Sequence, residues 1–597
     1  MTPTTTLARR RRSLLACVGT LLLVAPALGA PPDSLSFATP EAPLIISIRD
    51  VGKLADRVAS MVGDLGLPGD VAMGPQLAQM MLMTPGLNKN GSATLVLYPP
   101  NDEHFQMQGV VIAPVSDYAQ LMSVVGGDAS ADVASFEIQG APAFARDLGR
   151  GYAAIGPEHD FVASYKPGAD VLQRQNDRLG VVGGRVAETA DIVIIAAPEI
   201  MAMVLHEGAG LAQNTVQDQA GAFGFGDAVD QMGGAVGQGI ERFLADARVG
   251  VVGLTLDDAG IALDLAAQFN DDSPLAGEFS HAGHSAEMVG KLPSTGYWLA
   301  WSVDAGAPGL GELTKMLTAA AGMGDDAGEA ATGMAGVIGA SPAVLQTGVL
   351  SRTALYLRTE HGEQLAGAIG DAVKKLDGTS GGGMAYHTTF EPGAKQIEGA
   401  SVAAYSVQTE MTPPDEENEE AFNPALAFMP DPQVINQVMF GPTTSGPSGY
   451  VAVTPGGVVQ TFSRSDSFMS AALTAAGGGK SLAGDARLGQ SSALLPEGRS
   501  FEAYLALDTV AQTAVPMLML AGLIPEAPEV GAMPPVALGV TTDAGGFRAR
   551  LVVPKDVISV IAKFAAPFMP AAGGGDDWDQ DWDNDGGDEN DGMDDGG

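Results

Sequence analysis

Gly253–Phe269, GLTLDDAGIALDLAAQF, alternates apolar and polar residues about the turn DDAG, and Gly539–Val553, GVTTDAGGFRARLVV, does the same about DAGG. Successive side chains on a strand point to opposite faces, so a period of two around a glycine-containing turn is the pattern of an antiparallel hairpin with one face on a core and one in water. The two stretches also match each other as G-x-T-x-D, and each closes a longer run of segments that match in the same order.

The first match is Pro40–Asp50 (PEAPLIISIRD) with Pro293–Asp304 (PSTGYWLAWSVD), each a strand pattern ending in Asp ahead of a helical pattern. FEIQGAPAFA about Gly140 then faces KQIEGASVAAY about Gly399. Gly151-Tyr152 with AAIGPEHDFVASY faces Gly449-Tyr450 with VAVTPGGVVQTFS, and IVIIAAPEI from Ile192 faces AYLALDTV from Ala503. Spacing between partners changes most at two places. The second run carries QTEMTPPDEENEEAFNPALAFMPDPQVINQ, and the first carries a glycine-rich stretch over Gly208–Gly239. Ordered matches with loop-like insertions are the signature of internal duplication. The chain therefore reads as two tandem homologous units, 36–275 and 290–568, joined by a linker at 276–289, with an acidic insert at about 407–436 in the second.

The fold class expected is α+β, mainly antiparallel sheet with packed helices. SATLVLY and MQGVVIA flank turn residues Pro99–Asp102, and Ser116-Asp117 precede the helical YAQLMSVV; FRARLVV likewise runs through Pro554 and Asp556 into VISVIAKFAAPFM. Asp50, Asp304 and Asp508 each end a strand pattern and begin a helical one, which is the position of an N-cap accepting backbone N–H groups of the first turn.

The N-terminus carries an export pattern over 1–30: Arg9–Arg12 as basic region, Leu14–Ala25 as apolar run, and Ala25-Pro26-Ala27 as an A-x-A cleavage site, with Leu28-Gly29-Ala30 as a second choice. Arg11-Arg12-Ser13-Leu14-Leu15 also fits a loose twin-arginine pattern. Cys17 imitates a lipoprotein box, but a cut there would leave most of the apolar run behind. Ordinary cleavage removes this sole cysteine, which excludes disulfides, a thiolate nucleophile and Cys metal ligation in the exported chain. No later apolar run is long enough to span a bilayer. The expected location is periplasm or extracellular space, without a transmembrane anchor.

At 597 residues, 46% hydrophobic, the chain has material for large cores. Its net charge of −40 repels phosphate backbones, so nucleic acid is not an expected partner. Eleven acids fall in the tail DDWDQDWDNDGGDENDGMDDGG, which has no basic residue. The 573–597 segment reads as a disordered, solubilising extension. Within it Asp581, Asp583 and Asp585 with Gly586 copy the first half of an EF-hand loop, where alternate carboxylates converge on calcium. The second half fails, since Gly592 stands where a bidentate Glu is needed. Low-affinity calcium binding is the only cofactor expectation, and Trp578 and Trp582 are suited to docking on a partner.

Gly378-Thr379-Ser380-Gly381-Gly382 satisfies G-x-S-x-G but follows a helical pattern, the reverse of the strand-to-helix elbow that exposes a nucleophilic Ser. His281 and His284, with Asp271, Asp272 and Glu287 near in sequence, contain metal-ligand residue types but no HExxH, and read as loop histidines. Met80, Met81, Met83, Met201, Met203, Met517 and Met519 sit in apolar helical patterns, where thioethers are adaptable core filler. No dinucleotide or Walker signature is present. No catalytic residue is assigned.

A first strand running into a capped helix, then a hairpin with Gly140, Gly151 and Tyr152, repeated through Gly399, Gly449 and Tyr450, resembles a family of exported bacterial proteins catalogued only as a domain of unknown function. The resemblance implies exported α+β repeats and no catalytic residue. The expected function is a non-enzymatic binding or scaffolding protein with an envelope or extracellular protein or glycan as partner. The alternatives are a carboxylate-dependent hydrolase acting on envelope material and tail-mediated calcium binding.

Overall fold

The computed structural model describes residues 30–65, 83–99, 108–138, 140–202, 239–306, 330–340, 347–381, 384–411, 439–441, 446–520 and 530–565. These residues form a mixed α and β protein on one large antiparallel sheet of twenty strands. The N-terminal half supplies β1 (Leu44–Ile48), β2 (Ala93–Tyr98), β3 (Gln108–Pro114), β4 (Ala134–Ile138), β5 (Ala141–Gly149), β6 (Tyr152–Gly156), β7 (Ile192–Ala196), β8 (Ala247–Asp257) and β9 (Gly260–Phe269). The C-terminal half supplies β10 (Tyr297–Val303), β11 (Gly333–Gly339), β12 (Thr353–Arg358), β13 (Ser380–Gly381), β14 (Met384–Ile397), β15 (Ala400–Met411), β16 (Ser448–Thr454), β17 (Gly457–Thr461), β18 (Arg499–Leu505), β19 (Val536–Asp543) and β20 (Gly546–Pro554).

The pairings run in one chain of neighbours: β4, β5, β6, β3, β2, β1, β7, β8, β9, β20, β19, β18, β10, β11, β12, β17, β16, β15, β14, β13. Outward from the central β9–β20 pairing, the two sides follow the same sequence of connections as far as β3 on one side and β12 on the other. Three of the five sequence matches fall on strands in corresponding places: β1 with β10, β7 with β18, and the β8–β9 hairpin with β19–β20. The other two are displaced by one strand. Tyr152 opens β6, which pairs with β3, whereas Tyr450 lies on β16; it is β17 that pairs with β12. The displacement arises because the long β14–β15 hairpin turning at Gly399 adds a strand outside the shared order.

The helices are α1 (Val51–Leu65), α2 (Tyr118–Val125), α3 (His159–Ser164), α4 (Val171–Thr189), α5 (Pro274–Glu278), α6 (Ser285–Val289), α7 (Gly362–Lys375), α8 (Asp466–Ala476), α9 (Ala486–Ser492), α10 (Leu507–Leu520) and α11 (Lys555–Ala565). Local chemistry sets several ends. Asp117 accepts the Gln120 N–H at 3.0 Å to cap α2, which stops at left-handed Gly126. Asp50 accepts the Lys53 N–H at 2.9 Å, as an N-cap does. Asp508 stands one residue inside α10 instead of ahead of it; its Oδ1 still accepts a first-turn N–H, that of Thr509 at 2.7 Å, while its buried Oδ2 takes a salt bridge from Arg487 at 2.7 Å. Asp304 accepts the Gly306 N–H at 3.1 Å, the His284 N–H at 2.8 Å and the Arg358 guanidinium, so it ties the 276–289 segment to the sheet. That segment is packed, with Ser285, Met288 and Val289 buried in α6.

The central hairpins reverse the expected faces. Asp264 on β9 is 0% exposed, while its neighbours Leu263 and Leu265 are 42% and 41% exposed. Arg548 Nε donates to Asp264 Oδ1 at 2.7 Å, and Arg550 Nη1 lies 3.7 Å from Oδ2. The alternation is real, but the polar face lies under α4, where opposite charges from two hairpins neutralise one another on burial. α4 kinks at Gly180 (φ 61°, ψ −162°), where Gln268 packs; the Gln268 amide donates to the Ala544 and Gly545 carbonyls at 2.8 and 3.0 Å. One buried side chain thus joins a helix of the first half to the β19–β20 turn of the second.

Candidate ligand-binding cleft

The N-terminal segment opens with Pro31-Pro32, whose fixed φ feeds a short 3-10 turn, Asp33–Phe37. Leu35 and Phe37 are buried, anchoring this turn on the N-terminal core. Beneath it lies a polar network in the fold's interior. Thr94 Oγ1 donates to Ser34 Oγ at 2.7 Å and lies 2.9 Å from Ser47 Oγ; Ser92 Oγ accepts the Ser34 N–H at 2.8 Å and meets the Tyr152 hydroxyl at 3.0 Å. Burial pushes the Tyr152 phenol above its ordinary range, with the Ser92 bond opposing, so it remains a neutral hydroxyl at physiological pH.

The β5–β6 turn passes over this segment through Gly149, Arg150 and Gly151, at φ of 73°, 53° and 79°. Left-handed backbone suits the two glycines and strains the arginine. Arg150 places its guanidinium over the Phe37 ring, 4.3 Å from the centroid. Together with Leu172 and Asn176 of α4, these elements enclose a cleft of about 360 Å³ lined by Pro31, Pro32, Asp33, Ser36, Arg150 and Tyr152. That volume is in the range of small-molecule sites, roughly 300–1,000 Å³.

A second cleft, about 370 Å³, opens where the halves meet, between the β8–β9 turn (Asp258, Ala259), α9 (Gln490, Ser491) and the start of α11 (Lys555, Asp556). Several of its polar groups are committed within the fold. Lys555 Nζ is held by Asp64 at 2.6 Å, which raises its pKa, and Ser491 donates to the Pro535 carbonyl at 2.7 Å.

The residues singled out by sequence are dispersed. His281 and His284 are exposed: the His281 carbonyl accepts from Thr542 at 2.6 Å, His284 Nδ1 lies 3.5 Å from Asp304, and Asp271 faces Arg248 at 3.5 Å instead. Among the described residues no group of three His, Cys, Asp or Glu is placed to hold a metal. Ser380 sits on two-residue β13, paired with Ala385, and not on an elbow. Met201 packs against Gly250 of β8, whereas Met83 is exposed. Asp581, Asp583 and Asp585, both tail tryptophans and most of the acidic insert lie outside the described residues. Among those described, no helix is long and apolar enough to cross a membrane.

No family model, curated protein or solved structure matches this chain. The cleft must therefore be read from its own chemistry. Sequence reasoning passed over Arg150, although G-R-G in a hairpin turn carries a signal: an arginine standing where glycine or asparagine is cheapest.

Proposed function

We propose that the chain is an exported, non-enzymatic binding protein made of two tandem homologous α+β units fused edge to edge, with an envelope or extracellular protein or glycan as its partner. The shared strand order about the β9–β20 pairing supports the tandem reading. The observation that carries the binding reading is the N-terminal cleft, where Arg150 and Asp33 line one cavity with neither in a hydrogen bond or ion pair to the described residues. Unspent charge at a concave surface is what recognition uses. Affinity capture from the native envelope fraction with mature protein, its Arg150→Asn variant and an Asp33→Asn variant tests it. A stoichiometric partner retained by wild type and lost by the variants is expected; equal capture by all three refutes a role for the cleft. Fractionation with N-terminal sequencing checks export, with Leu28 expected as first residue if the Ala25-Pro26-Ala27 site is used.

The alternative, a carboxylate-dependent hydrolase, draws on the junction cleft, where Asp258 and Asp556 line the same cavity. Hydrolysis of an envelope glycan by wild type and its loss in Asp258→Asn and Asp556→Asn would establish that reading in place of the first.

A further inference from the structure

The binding reading gives the N-terminal cleft an envelope protein or glycan as partner without saying which chemical group enters it, and the charges of the cleft narrow that group. Arg150 sets its guanidinium over the Phe37 ring and makes no hydrogen bond or ion pair to the described residues, so its N–H donors are open to a ligand. Asp33 is exposed at the first turn of the 3-10 segment and takes no cap hydrogen bond among the described residues. The two do not pair with each other, although both line the same cavity. A purely anionic ligand would meet Asp33 and a purely cationic one Arg150, each a like-charge contact in a partly enclosed space. A ligand with both charges satisfies both. Pro31, Pro32 and Leu172 supply an apolar wall beside them, and the Asn176 amide adds a neutral donor and acceptor.

From this we infer that the cleft binds a small zwitterion of the α-amino-acid kind, carboxylate on Arg150, ammonium on Asp33 and an apolar side chain against the proline and leucine wall. The inference rests on the binding reading but uses residues 30–176 alone. It accounts for the strained arginine: left-handed backbone at Arg150 is the geometry that lays the guanidinium over Phe37 at the mouth of the cleft.

The test is calorimetric titration of the mature protein with each of the twenty L-amino acids, with their N-acetyl and methyl-ester forms, and with phosphoethanolamine. An apolar L-amino acid binds wild type, and Arg150→Asn and Asp33→Asn each weaken it at least about tenfold, the scale of a charge-assisted hydrogen bond. N-acetylation weakens binding to wild type with no further loss in Asp33→Asn, and esterification does so with no further loss in Arg150→Asn. Asparagine tolerates left-handed backbone, so the Arg150 variant keeps its melting temperature and its loss is not misfolding. Absence of heat with every amino acid, binding of phosphoethanolamine alone, or equal affinity of the variants overturns the proposal. If envelope capture still depends on Arg150 and Asp33 while amino acids fail, the ligand class is wrong and the binding function stands. If capture fails as well, both are wrong.

Discussion

Replacing Asp264 by alanine removes the carboxylate that neutralises two arginines at the seam between the halves. Arg548 Nε is 2.7 Å from Oδ1 and Arg550 Nη1 3.7 Å from Oδ2, with Asp264 0% and Arg548 7% exposed. At an effective dielectric constant of about 20 these separations correspond to about 6 and 4.5 kcal/mol of attraction, against which stands the cost of taking three charges out of water. Breaking such a buried set by deleting one partner costs about 3–5 kcal/mol, because the arginines stay buried without a counter-charge. Burial already lowers the Arg550 pKa, with Asp264 opposing, so the site lacks slack for a second uncompensated cation. The assay is urea unfolding followed by circular dichroism and by fluorescence of Trp298 and Trp301 on β10, with Trp578 and Trp582 replaced by phenylalanine. Asp264→Ala should lower the stability of the first transition by that amount. The triple replacement Asp264→Leu, Arg548→Met, Arg550→Leu should restore most of it, since apolar isosteres often equal or exceed buried ion pairs. A loss under about 1 kcal/mol for Asp264→Ala would show that water reaches the seam and refute the argument.

Gly180→Ala should destabilise by about 1–3 kcal/mol, because its backbone is open essentially to glycine alone and a Cβ would stand 2.4 Å from Gln268 Oε1. Gly184→Ala in the same helix meets nothing within 4 Å and should stabilise by about 0.4–1 kcal/mol in the same denaturation assay. Asp466 is held below its ordinary range first by the Lys395 hydrogen bond, so its contribution is present above the unfolded carboxylate pKa and is lost as pH falls through the lower folded value. Lys395, raised chiefly by Asp466, contributes below its unfolded pKa and loses that contribution as pH rises through the higher folded one. Two-dimensional NMR titration of both groups, with salt weakening the coupling, checks each direction. Truncation after Gly575 should abolish weak calcium binding measured by calorimetry, and chelation should leave the circular dichroism of the full chain unchanged; calcium binding that survives truncation removes Asp581, Asp583 and Asp585 from consideration.

The local grammar of the chain was legible without coordinates. Alternation around DDAG and DAGG marked the hairpins β8–β9 and β19–β20, and Asp50 and Asp117 announced helix starts, because hairpins and caps depend on residues a few positions apart. What faces what was not legible. The period of two in Gly253–Phe269 is the same whether Asp264 points to water or to an arginine nearly three hundred residues later, and only the edge-to-edge pairing of β9 with β20 settles it. Asp508 illustrates the same limit: a strand-to-helix pattern locates it within a residue or so of the helix start, where Oδ1 accepts the Thr509 N–H, but the ion pair of Oδ2 with Arg487, brought in from α9, was not legible. The cleft is the furthest from local reading. Arg150, Phe37 and Asn176 come from a turn, a 3-10 segment and a helix that meet only when the sheet is assembled. Composition, the hairpins and the caps at Asp50 and Asp117 were determined by the sequence alone, the last two because they depend on residues a few positions apart. Burial of charge and convergence of unspent polar groups are long-range, and the tertiary structure decided them, since nothing in the order of residues states which distant surfaces will exclude water together.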